Sequence, residues 1–102
     1  MDKYGLHGSL KAKKGKGDEL ASILVEASQL VSQTKGCLLY VVSKDSQDKD
    51  IIWVTEIWDT KADHDNSLKE PAIRSLISTA MPILGGTPEK GQELEVIGGY
   101  GI

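Results

Sequence analysis

Apolar residues fall at every second position near the start of the chain, with Tyr4, Leu6, Leu10 and Ala12 on one side and Gly8 in phase with them. Gly5, His7, Ser9 and Lys11 take the other side, so the alternation predicts a strand over residues 3–13 with the tyrosine side as core. From Asp18 the period lengthens. Leu20, Ile23, Leu24, Ala27, Leu30 and Val31 follow i, i+3, i+4, i+7 spacing, which predicts an amphipathic helix over residues 18–34, with Asp18 as its N-cap and Gly36 as its stop. The stretch CLLYVVSK, residues 37–44, is nearly continuous in apolar residues and predicts a strand buried on both faces. A polar hairpin over Lys44 to Asp50 leads to a second such strand, in which Ile52, Val54, Glu56 and Trp58 share one face and Ile51, Trp53, Thr55 and Ile57 the other.

Thr60 can cap the helix that follows, and Asp63, three residues on, can return the bond. His64, Ser67 and Leu68 then share one helical face. Leu68 and Ile73 are five residues apart, about 140° out of phase on one continuous helix. A restart at Pro71 lets both stripes meet one core, and the second segment carries Ile73, Leu76, Ile77, Ala80 and Leu84 before Pro82 and Gly85-Gly86 end it. A loop at residues 87–91 and a final strand over residues 94–100, bent at its glycines, complete the chain. The order β-α-β-β-α-β predicts a ferredoxin-like α+β fold, a four-stranded antiparallel sheet with helices on one face. The other face carries Ile51, Trp53 and Ile57 and needs a cover, for which sheet-to-sheet dimerisation into an α+β barrel is the natural form.

At 102 residues the chain reads as one domain, residues 1–102, large enough to fold without a metal or disulfide. A net charge of −3 and a pI near 5.3 argue against nucleic-acid and membrane partners. One cysteine excludes an internal disulfide, and the absence of an apolar run of ~18 residues or a signal pattern points to the cytoplasm. Lys11, Lys13, Lys14 and Lys16 crowd one turn, but without P-loop spacing the turn reads as solvated. No His, Cys and carboxylate spacing suggests a metal site.

His64 is the leading candidate for chemistry, because an imidazole at a helix start on the inward face can carry a proton near neutral pH. Glu56, a carboxylate on a covered face, must be paired, hydrogen-bonded or protonated, and could orient His64. Trp58 shares that face and either stacks on a ligand ring or is plain core. Asn66 and Ser67 could hold a ligand oxygen or satisfy their own helix end. Tyr40 could present its hydroxyl to the same cavity or find a backbone partner. Cys37 lacks the context of a reactive thiol and reads as packing, and His7 lies on the side away from the helices.

A strand ending Glu56-Ile57-Trp58, a short capped helix, a proline restart and a second apolar helix together resemble the antibiotic biosynthesis monooxygenase family, as does the entry Gly36-Cys37-Leu38-Leu39-Tyr40. The resemblance implies a homodimer of ferredoxin-like barrels and oxygenation of a small aromatic such as a quinol by molecular oxygen, with no cofactor. His64, oriented by Glu56, would be the base that deprotonates a phenolic hydroxyl, Trp58 would stack the ring, and Asn66 or Ser67 would hold an oxygen. A non-catalytic ligand-binding or stress-response dimer is the alternative. The haem-degrading branch's Asn, Trp and His fall on Gly8, Ser67 and Ile77, which disfavours haem degradation. Strand and helix periodicities converge on a pocket within each subunit, two per dimer, where Glu56 and His64 influence each other's ionisation.

Overall fold

The computed structural model describes residues 2–86 and 90–102. Strand β1 (Lys3–Lys11) leads to helix α1 (Gly17–Val31), the hairpin β2 (Cys37–Lys44) and β3 (Ile51–Trp58), helices α2 (Lys61–Ser67) and α3 (Pro71–Ala80), a 3-10 turn at Met81–Ile83, and β4 (Gln92–Val96). The sheet order is β2-β3-β1-β4 with every neighbouring pair antiparallel, the ferredoxin-like arrangement. The register sets Tyr4 opposite Trp58, Leu6 opposite Glu56 and Leu10 opposite Ile52, and Tyr40 pairs with Glu56 from the other side. These residues share the helix-covered face.

Elements differ from expectation where a partner decides the boundary. Ala12 leaves β1 for a lone bridge to Leu84, because Gly85 N–H has already closed on the Lys11 carbonyl at 2.7 Å. Helix α1 starts one residue early, with Lys16 at the N-cap position and no side-chain bond there; Asp18 sits in the first turn and pairs with Lys44 instead. The final strand runs over residues 92–96, not 94–100: Val96 pairs with Lys3, the first residue of β1, and beyond that pairing Ile97 and Tyr100 are exposed. Residues 87–89 of the expected loop lie outside the described residues. Leu38 is a bulge residue between Cys37 and Leu39, which turns it out to solvent.

The lysine-rich turn closes on an anion from within the chain. The Asp50 carboxylate accepts from Gly15 N–H at 3.1 Å and Gly17 N–H at 2.9 Å, filling the place an external anion would take.

Thr60 caps α2 as expected, its hydroxyl accepting from Asp63 N–H at 3.1 Å, and Pro71 opens α3 at its first turn. Gly36 has φ +86°, and its carbonyl accepts from Asp59 N–H at 2.8 Å, which ties the start of β2 to the end of β3. A β-carbon on Gly36 would lie 2.7 Å from the β-carbon of Asp63, so the start of α2 can pack there only over glycine. Gly36→Ala should therefore cost about 2 kcal/mol or more, strain and clash combined, measured as a lower urea midpoint at unchanged m-value. A midpoint equal to wild type would show that α2 does not depend on this contact.

Beneath the helices the core divides in two. Ala12, Leu20, Ile52, Ala80 and Leu84 form one cluster, and Val31, Trp58 and Ile73 the other. The sheet's opposite face carries Leu39, Val41, Ile51, Trp53, Ile57 and Leu94, and among the described residues no helix covers it.

Candidate functional site

Between the two core clusters lies a cavity of about 190 Å³, walled by α1, α2, α3 and the sheet. Its lining is apolar except for Tyr40, Glu56, His64 and Ser67. Glu56 comes from the middle of β3 and His64 from the first full turn of α2, and each side chain is only 12% exposed. His64 Nε2 stands 3.9 Å from Glu56 Oε1. The pair that strand alternation and helical spacing predicted thus meets in one apolar space.

Both groups make further contacts. Trp58 Nε1–H donates to Glu56 Oε1 at 3.0 Å. Burial pushes the Glu56 carboxyl up from its ordinary value, against the opposing pull of the Trp58 N–H and the His64 charge. His64 Nδ1 lies 2.9 Å from Asp65 Oδ1, and that bond holds the half-exposed Asp65 below the usual carboxylate range. An ionised carboxylate can only accept, so Nδ1 carries a hydrogen, and Nε2 is the ring nitrogen that faces Glu56 and the cavity. Tyr4 and Trp58 bracket the imidazole, with ring centroids at 5.4 and 5.7 Å, the latter edge-on. Tyr4 is itself fixed by donating to Glu93 Oε2 at 2.9 Å, and burial with that bond raises its phenol to about 12.

The six sequence candidates divide. Glu56, His64, Tyr40 and Ser67 line the cavity. Burial and the Glu56 charge hold the Tyr40 phenol well above its usual value, so it can act there as a donor. Ser67 is buried, but its hydroxyl donates to the His64 carbonyl at 2.6 Å, which is helix-end bonding. Trp58 is fully buried and stands behind Glu56 and His64 instead of in the cavity, which leaves no open face for a ligand ring. Asn66 is exposed and lines a wider groove of about 480 Å³ between the end of α1, α2 and the start of α3, since the two residues that separate it from His64 turn it by about 200°. Cys37 is half-buried with its thiol pushed up by burial. His7 stacks on Trp53 at 5.1 Å on the uncovered face, away from the site as expected.

Asp65 and Tyr4 escaped the sequence reading. The adjacency of His64 and Asp65 was the available signal, but i+3 and i+4 spacing does not detect a carboxylate reaching round to its neighbour's ring. Among the described residues, no group of three or more His, Cys, Asp or Glu side chains is placed to hold a metal ion.

The raised Glu56 gives a stability prediction. Its folded value lies above the unfolded one, so the stability carried by the protonated form is intact below about pH 4.5 and is lost as pH rises through the raised value. Glu56→Gln keeps an acceptor for Trp58 and removes the buried charge. At pH 7 the variant should be more stable than wild type by about 1 kcal/mol, and below pH 4 the two should coincide. Urea denaturation at both pH values measures this, and a variant less stable at pH 7 would show that the charge is fully compensated.

The profile of the antibiotic biosynthesis monooxygenase family matches residues 4–78. Among solved structures the chain is similar to a candidate antibiotic biosynthesis monooxygenase from Chloroflexus aurantiacus J-10-fl, at 39% identity and a TM-score of 0.88, with 98% of each chain covered. A conserved protein from Methanosarcina mazei Go1 shares the fold at 14% identity and a TM-score of 0.84, over 95% of each chain. A candidate antibiotic biosynthesis monooxygenase from Caulobacter crescentus CB15 does so at 16% identity and a TM-score of 0.85, over 95% of this chain and 92% of the other. No curated protein shows a significant match.

Proposed function

Because the chain belongs to the antibiotic biosynthesis monooxygenase family, we propose that its cavity oxidises a small phenolic or quinol-type aromatic with molecular oxygen and no cofactor. The observation that carries this reading is the meeting of His64 Nε2 and the Glu56 carboxyl in one apolar cavity. Nε2 takes the phenolic proton, Asp65 holds the imidazole in the tautomer that can do so, and the Glu56 carboxylate stabilises the imidazolium formed. The resulting anion gives an electron pair to dioxygen at a ring carbon. The peroxide so formed loses water, leaving one oxygen atom on the ring and the other in the water. Tyr40 donates to a ligand oxygen, and the apolar walls keep bulk water away from the anion. Trp58 positions Glu56 and His64, and Asn66 takes no part.

We place the working form as a homodimer joined through the uncovered sheet face. That face is apolar, and covering it leaves both helix-side cavities free, two equal sites per dimer. Among the described residues no helix is long and apolar enough to cross a membrane, and a cytoplasmic, small-molecule role fits the acidic chain.

The test is oxygen consumption with a panel of single-ring hydroquinones, where the protein should raise the rate above buffer with one O₂ used per ring. Binding without any rise in rate would favour the non-catalytic, ligand-binding alternative.

A further inference from the structure

Resting on that reading of the cavity, we infer that its ligand is a single aromatic ring carrying an apolar substituent, which leaves through a mouth rimmed by Leu68, Ile77 and Met81. A cavity of about 190 Å³ is a little larger than the ~150 Å³ void that accepts benzene in an engineered core, so it holds one substituted ring. Most of its wall is closed: Ile73 is 3% exposed, Ala80 7% and Leu84 9%. Three lining side chains are not. Leu68 is 44% exposed, Ile77 44% and Met81 54%, so the cavity opens where they stand.

The mouth lies away from the polar end. Leu68 is one turn beyond His64, and Ile77 and Met81 are one and two turns beyond Ile73, at ~5.4 Å per turn. A ring whose hydroxyl meets His64 therefore directs its remaining substituents toward the rim. A wholly enclosed ring would leave the three rim side chains in water, whereas an alkyl chain running out between them would cover them. A charged substituent would be desolvated there without a partner, since among the described residues of the lining the ionisable side chains are Tyr40, Glu56 and His64, none of them at the rim. Polar extensions have an alternative in the outer groove, walled by Lys35, Asp63 and Glu70, but it meets the cavity only at the buried Ser67 and Ile73.

Anaerobic calorimetry on the full chain, with hydroquinone and its methyl, propyl and pentyl derivatives, tests this apart from turnover. Kd should fall about two- to fourfold per methylene, and 2,5-dihydroxybenzoate should bind at least tenfold more weakly than methylhydroquinone. Met81→Gln and Ile77→Gln, both at exposed positions, should flatten the dependence on chain length. Binding and turnover of hydroquinone with no gain from the alkyl chain would overturn this inference and leave the proposed reaction standing. A chain-length dependence unchanged in both variants would also overturn it, as would a change of oligomeric mass in either, which would make the rim a contact between copies of the chain. Failure of every ring compound to bind would remove the inference and the proposed function together.

Discussion

His64→Ala should lower kcat/KM for oxygen-dependent turnover of a quinol by roughly 10²- to 10³-fold while leaving hydroquinone binding within a few-fold of wild type. A positioned general base contributes on the order of 10²–10⁴, and the lower part of that range is expected because Glu56 remains in the cavity. Loss of the imidazole deletes the lone pair but neither the apolar walls nor Tyr40, so the effect belongs in kcat more than in KM. Imidazole added to the buffer should restore part of the rate by entering the space left between Tyr4 and Trp58. Asp65→Asn should fall between wild type and His64→Ala: an amide can donate to Nδ1 and so favour the tautomer that protonates Nε2, but the half-exposed site lets water compete. Rates equal to wild type in His64→Ala, measured in an oxygen electrode, would remove His64 from the chemistry.

Trp53→Glu should convert the proposed dimer into monomer or aggregate. Trp53 lies flat on the uncovered face, stacked on His7 at an interplanar angle of 14°, with its Nε1–H donating to Asp45 at 2.9 Å. Thr55, Ser9 and Ser43 are its cross-strand and same-face neighbours, with Ile51 two residues away on the same side of β3. A stable interface needs ~800 Å² from each partner, and the uncovered sheet face offers Leu39, Val41, Ile51, Trp53, Ile57 and Leu94 to it. A glutamate there leaves an unpaired charge under the partner, a cost of about 3–5 kcal/mol, and sets it beside Asp45 as well. Sedimentation velocity on wild type, Trp53→Phe and Trp53→Glu reads the outcome, with only the last expected to lose the dimer. A glutamate variant that sediments as the wild-type dimer would exclude this sheet face as the interface.

The elements and their faces were legible because they follow from periods. Alternation along β3 assigned Glu56 to the covered face, and the cap at Thr60 with the restart at Pro71 fixed how α2 turns His64 inward. Depth and lateral contact were not legible. Alternation says which face Trp58 occupies, but the closure over it is made by Val31 and Ile73 from elements distant in sequence, and these remove it from any ligand's reach. Asn66 follows His64 by two residues, enough helical rotation to carry it to the outer groove. The end of β4 falls where β1 begins, not at the glycines of its own sequence. Asp65 could not be assigned from helical faces because its bond to His64 is made around the helix surface, between adjacent residues.

The most direct single measurement is product mass spectrometry after turnover of an alkylhydroquinone under ¹⁸O-labelled dioxygen in unlabelled water. Base-initiated monooxygenation in this cavity predicts a product bearing one labelled oxygen per ring, with the other label in water, formed by wild type and nearly absent with His64→Ala. An unlabelled quinone with the label recovered as hydrogen peroxide, or labelled product formed equally well by His64→Ala, would contradict it.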